Sequence, residues 1–188
     1  MAARSVTLVT GATGTAGSQV VSHLPDAGGA VRALVRNPDS ARLPSGAEPV
    51  RGDLSNRADL TAALDDVAAV SPVRPFTSSE AATDLAPGVL AAIAERTQRI
   101  VSLSAEVAAT GPEAFWAKLE QHVERCAAQW TLLRPTGFAE NTLRWADQIR
   151  ADGFVTSPER VTSTVLEVNG VPARAIRDWA VDHVGDVR

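Results

Sequence analysis

Three glycines open the chemistry of this chain. The run Thr7-Leu-Val-Thr-Gly-Ala-Thr-Gly-Thr-Ala-Gly17 spaces Gly11, Gly14 and Gly17 three residues apart, between a short apolar stretch and a helical pattern. Such a turn lets backbone amides come close to an anion, and the positive end of the following helix favours negative charge there. A dinucleotide pyrophosphate suits this geometry, with Gly11, Thr13, Gly14, Thr15, Ala16 and Gly17 as its cradle. The spacing is G-x-x-G-x-x-G, not the commoner G-x-G-x-x-G, and tight turns also select glycine, so the surrounding strand-helix-strand unit carries the weight.

That unit closes in a second strand ending Arg32-Ala-Leu-Val-Arg36. An acidic residue there would bind the ribose 2'-hydroxyl of NAD, whereas an arginine accommodates the 2'-phosphate of NADP. Arg36, with no carboxylate before Asp39, favours NADP over NAD, the plain alternative being a solvated surface arginine. Arg51-Gly-Asp53-Leu54 follows a third strand at the edge where the adenine end of such a cofactor would lie. Gly-Asp is equally an ordinary turn.

Groups that could move a proton are few. A tyrosine whose pKa is lowered by a lysine four residues later would serve as a proton donor, but this chain has no tyrosine, and Lys118, its only lysine, follows Ala114 at that spacing. Ser104, at the end of a fifth strand, and Lys118 are the catalytic candidates, with a turn-forming role as the alternative for Ser104. His23, His122 and His183 fall on predicted helices without metal spacing or a paired nucleophile, and Glu120, Glu124 and Arg125 read as a solvated helix face. No metal site is expected. Cys126 is the single cysteine, which excludes an intramolecular disulfide and fits a reducing compartment, with cytoplasm the expectation.

The elements that must position these residues alternate. Strands are expected at Val6–Val9, Val31–Val35, Glu48–Arg51, Val67–Ser71, Ile100–Leu103 and Trp130–Leu133. Helices are expected at 15–24, ended by Pro25 and the Gly28-Gly29 pair, then at 57–65, at 79–96 interrupted by Pro87, at 113–127 and at 139–151. An ill-defined stretch follows, then a final helix on which Ile176, Trp179 and His183 share a face. This alternation predicts an α/β fold: a Rossmann-like doubly wound parallel sheet with a reduced C-terminal helical portion, divided into a nucleotide-binding domain over 1–135 and a short substrate-lobe remnant over 136–188. A net charge of -4 with scattered arginines leaves no basic face for nucleic acid, and no apolar stretch is long enough for a membrane span. The N-terminus passes straight into the first strand, so no targeting segment is expected.

These residues carry a resemblance. Val9–Gly17 with Ala33–Arg36, Arg51–Leu54, and the stretch from Phe115-Trp116 through Glu120 to Trp130-Thr-Leu-Leu-Arg-Pro-Thr-Gly-Phe-Ala-Glu-Asn-Thr-Leu143 make the chain similar to NmrA-like atypical short-chain dehydrogenase/reductases, the group with azoreductase- and quinone-reductase-like members. The resemblance implies that Phe138 and Asn141 lie near the nicotinamide and the substrate mouth; the alternative puts Phe138 in the core and Asn141 at a helix cap. Relatives carry a longer C-terminal portion, so the substrate lobe is expected to be shortened and a homodimer is expected to cover the apolar surface left open. The functional expectation is an NADPH-dependent reductase acting on a small conjugated acceptor of quinone, flavin or enone type. A non-catalytic NAD(P)-binding regulatory protein and a non-redox cyclase or isomerase on the same scaffold stay open.

Overall fold

The structure is a computed structural model that describes residues 5–73, 79–111, 115–139, 141, 145–152 and 163–182. The chain divides into two compact units, Met1–Arg134 and Pro135–Arg188.

In the first unit six strands form one sheet: β1 (Val6–Thr10), β2 (Ala30–Val35), β3 (Ala47–Arg51), β4 (Val67–Pro72), β5 (Arg99–Leu103) and β6 (Gln129–Leu133). Their order is β3-β2-β1-β4-β5-β6, and every pairing is parallel. Helices α1 (Thr15–Asp26), α2 (Arg57–Ala63), α3 (Ser79–Ala94) and α4 (Phe115–Cys126) make the crossovers, with 3-10 turns at Pro38–Ser40 and Glu106–Thr110.

A parallel sheet must bury both faces, and strand alternation shows how this one does. Leu8 and Leu34 pack in a core with Leu60, Leu64, Leu90, Ile93, Leu119 and Val123, contributed by α2 to α4 and the residue that ends α2. Their neighbours Val9, Ala33 and Val35 turn the other way, into a core with Val21, Val20 and Leu24 of α1. The first strand thus points successive side chains to opposite layers, which fixes its register.

Two prolines depart from expectation. Pro25 lies inside α1, which runs on to Asp26 and closes where the Gly28 and Gly29 amides donate to the carbonyls of Pro25 and Leu24 at 2.9 and 3.0 Å. Pro87 lies inside a continuous α3. Each removes one ladder donor, and the buried Val21 of α1 and Leu90 and Ile93 of α3 hold the helices against that loss.

The second unit contains α5 (Ala146–Asp152), α6 (Thr164–Asn169) and α7 (Ile176–Asp182). The stretch read as ill-defined thus contains α6, which ends at Gly170 in the left-handed conformation, its amide donating to the Leu166 carbonyl at 2.8 Å. His183 lies outside the described residues. None of the described helices is long and apolar enough to cross a membrane.

Candidate nucleotide site at the carboxyl edge of the sheet

Strand order reverses direction at β1, whose neighbours are β2 and β4. At such a switch point the loops leaving the carboxyl ends diverge and open a crevice. Thr10 leads out of β1 into Gly11, whose φ is +62°. A Cβ there would stand 2.5 Å from the Val73 carbonyl oxygen just beyond β4, so Gly11 is required both by its left-handed backbone and by this approach. A Cβ on Gly17 would stand 2.1 Å from the Gly11 oxygen, so Gly17 lets α1 pack against the loop.

Gly14 is different. It has an extended backbone at the N-cap of α1, and the nearest atom to an added Cβ is the Gly11 oxygen at 3.3 Å, a contact relieved by a small shift. The chain's own packing asks little for glycine here. No side chain caps α1 and its first turn holds no acidic residue, whereas Asn56 caps α2 by accepting from the Ala58 and Asp59 amides at 2.9 and 3.4 Å. Thr13, Gly14 and Thr15 are exposed and Ala16 is half-buried, around a helix terminus left open to an anion. Beneath them Thr10, which the sequence reading passed over, is buried with its hydroxyl oxygen unpartnered among the described residues. A bare helix terminus and a glycine the fold does not demand are the features a bound pyrophosphate would satisfy, so these residues fit a dinucleotide.

Arg36 is exposed at the exit from β2. Beside it, the Asp53 carboxylate accepts from the Ser55 hydroxyl and amide at 2.7 and 2.8 Å. Those hydrogen bonds, the hydroxyl first, hold Asp53 below the usual carboxylate range against the opposing effect of burial, with help from the nearby Arg36 charge. Leu54 lines a cleft of about 170 Å³ between α2 and α3.

At the other end of the same edge the arrangement is closed. Glu120 is only 5% exposed, not part of a solvated helix face as its residue type suggested. Its Oε1 accepts from the Ser104 hydroxyl at 2.5 Å and from Arg134 Nε at 2.8 Å, while Oε2 accepts from Arg134 Nη2 at 2.8 Å. Burial pushes the Glu120 carboxyl up, but the hydrogen bonds from Arg134 and Ser104 and the guanidinium charge outweigh it and hold the group below its usual value. The Ser104 amide donates to the Leu133 carbonyl at 2.7 Å, so the ends of β5 and β6 are tied twice. Lys118 is on the exposed face of α4, while Ser104 bonds to its buried face, so the two catalytic candidates are not brought together. His23 is exposed and His122 half-buried, and among the described residues no group of three His, Cys, Asp or Glu side chains could hold a metal.

Phe138 and Asn141 lie in the second unit, where the Asn141 amide donates to the Phe138 carbonyl at 2.9 Å and Phe138 is exposed rather than core.

Residues 11–168 match the NAD(P)H-binding family, and the chain belongs to it. It is 37% identical over 154 residues to (4-alkanoyl-5-oxo-2,5-dihydrofuran-3-yl)methyl phosphate reductase of Streptomyces griseus subsp. griseus, covering 79% of this chain and 53% of that one. It is 32% identical over 156 residues to the NAD(P)H azoreductase of Xenophilus azovorans, covering 80% and 54%. Among solved structures, the NADPH complex of an NADPH-dependent quinone oxidoreductase from Escherichia coli superposes with a TM-score of 0.62 at 25% identity, covering 78% of this chain and 54% of that one. The chain spans about half the length of the curated relatives it matches. The resemblance to atypical short-chain reductases and the Rossmann-like fold are both borne out.

Proposed function

We propose that this chain is an NADPH-dependent reductase that delivers hydride to a small conjugated acceptor of quinone, flavin or enone type. The observation that carries the proposal is Gly14 at the open end of α1: the fold itself scarcely needs a glycine there, while a pyrophosphate lying over the amides of residues 13 to 17 does. Arg36 at the β2 exit supports NADPH over NADH, since a guanidinium suits a phosphate monoester. NADPH, when bound, supplies the hydride. The chain positions it: Gly11 and Gly17 set the loop against α1, and Asp53 and Leu54 border the adenosine end.

The chain has no tyrosine, and the Ser104 hydroxyl already donates to Glu120. An acceptor whose reduction gives a stabilised enolate or hydroquinone anion takes its proton from water, so conjugated substrates suit this site better than simple ketones. The named substrates of the relatives agree: an azo compound for one and, by its chemical name, an unsaturated lactone for the other. The same missing proton donor favours a second reading, a nucleotide-binding regulatory protein without turnover. The single cysteine supports a reducing compartment such as the cytoplasm. The exposed Val168, Val171 and Val181 of the second unit support a homodimer, which light scattering would test.

Titration of the chain with NADPH and with NADH, followed by cofactor fluorescence and energy transfer from tryptophan, tests the cofactor reading. Micromolar NADPH binding followed by cofactor oxidation with quinones or enones supports the reductase. Binding without oxidation of any such acceptor leaves the regulatory reading, and no binding of either nucleotide overturns both.

A further inference from the structure

The exits of β2 and β3 carry a second arginine outside the expected cofactor set. Arg51 ends β3 in register with Val35, the residue before Arg36. Its side chain crosses the β2 exit: one terminal nitrogen donates to the Arg36 carbonyl at 3.3 Å, and the other meets Asp39 Oδ2 at 3.4 Å in the 3-10 turn that follows. The ion pair is long and its side chains are 62% and 87% exposed, so it is held weakly and exchanges readily. Arg32, on β2 four residues before Arg36, is committed instead, with Nε on Glu48 at 3.0 Å and Nη1 on the carbonyls of Ala63 and Asp65 at 3.0 and 2.6 Å. Arg36 donates no side-chain hydrogen bond among the described residues. Two exposed guanidinium groups therefore share one strand exit, and two carboxylates, Asp39 and Asp53, flank them.

We propose that Arg51 is a second ligand of the phosphate on the adenosine 2'-position and a determinant of NADPH over NADH, with Asp39 as the counter-ion that holds Arg51 over the β2 exit when that phosphate is absent. This rests on the NADPH reading above. A phosphate monoester brings close to two negative charges into a neighbourhood that already holds two carboxylates, and one guanidinium balances only half of that. Arg51 can leave an exposed, stretched ion pair for a charge-assisted contact with the dianion, and its stem is already beside the Arg36 backbone. A 2'-hydroxyl offers no such exchange, so with NADH Arg51 stays on Asp39.

The test is the dissociation constants of NADPH, NADH and adenosine 2',5'-bisphosphate, measured by calorimetry on the full chain and on Arg51→Gln, Arg51→Lys, Arg36→Gln and Asp39→Asn, with circular dichroism melts to confirm folding. Arg51→Gln should weaken NADPH and the bisphosphate roughly tenfold and leave NADH within about twofold, the scale of one charge-assisted contact. Arg51→Lys should recover part of the loss, and Asp39→Asn should tighten NADPH by roughly two- to threefold by freeing Arg51. If Arg51→Gln leaves the NADPH to NADH ratio unchanged while Arg36→Gln collapses it, Arg51 is only a surface residue and the inference is overturned with the cofactor reading intact. If the unmodified chain shows no preference for NADPH, the NADPH reading falls, and this inference with it.

Discussion

The two ends of the sheet's carboxyl edge use polar residues in opposite ways. At the β1 to β3 end, the N-terminus of α1 is uncapped, the Thr10 hydroxyl is buried without a partner among the described residues and Arg36 is exposed to solvent. At the β5 and β6 end, Ser104, Glu120 and Arg134 satisfy one another completely on the carboxylate side. One end keeps its hydrogen-bonding capacity for a visitor, and the other spends it on the fold. The difference teaches where to look for binding: unmet polar groups mark the end proposed for nucleotide, while Glu120 marks a lock.

Substitutions should separate the two ends, and the glycines give the largest effects. Gly17→Ala forces a Cβ to within 2.1 Å of a backbone oxygen and should destabilise the chain by about 3 kcal/mol or more, read as a fall in the melting temperature. Gly14→Asp should keep or slightly raise the melting temperature, because aspartate is a good N-cap on a helix that lacks one, while abolishing NADPH binding by facing the pyrophosphate with a carboxylate. Equal melting losses in the two variants would erase the distinction drawn between these glycines.

At the locked end, Glu120→Ala should cost about 2 kcal/mol in a denaturant titration. That is below the range for breaking a fully buried pair, because the Arg134 side chain keeps 46% of its exposure and finds water. NADPH affinity should be unchanged; a large loss of affinity would mean that the lock belongs to the binding site. The pH dependence follows from the lowered Glu120 group. Its folded-state value lies below its unfolded value, so its contribution is complete above the ordinary glutamate range and is lost as pH falls through the folded value. Glu120→Gln should therefore lower stability at neutral pH and flatten the acid limb of the curve. The smallest effect is expected at Asp53→Asn, a few tenths of a kcal/mol, since Asp53 is exposed and anchors only a local turn to Ser55.

The open end was legible in the sequence for a physical reason. The glycine spacing, the strand before it and the arginine that ends the next strand are local signals, and all six strands were evident because apolar runs of strand length alternate with helical patterns. The locked end was not. Glu120 was assigned to solvent by its charge, although its place three residues before the buried Val123 puts it on the apolar stripe of α4. Its partners lie 16 residues before it and 14 after it, at the ends of two strands, and only the sheet brings them together. Pro25 and Pro87 were read as helix breaks because propensity is local, whereas the buried side chains that hold α1 and α3 together are not. Arg51 was passed over because its relation to Arg36 depends on the β2–β3 register.

The missing cap of α1 has a thermodynamic side. If nucleotide closes the first amides of α1 as proposed, where the chain's own sequence does not, occupancy becomes part of the folding equilibrium. Nucleotide at a hundred times its dissociation constant adds about 2.7 kcal/mol to the stability of the folded chain. Under that proposal, resistance to proteolysis should rise with added nucleotide.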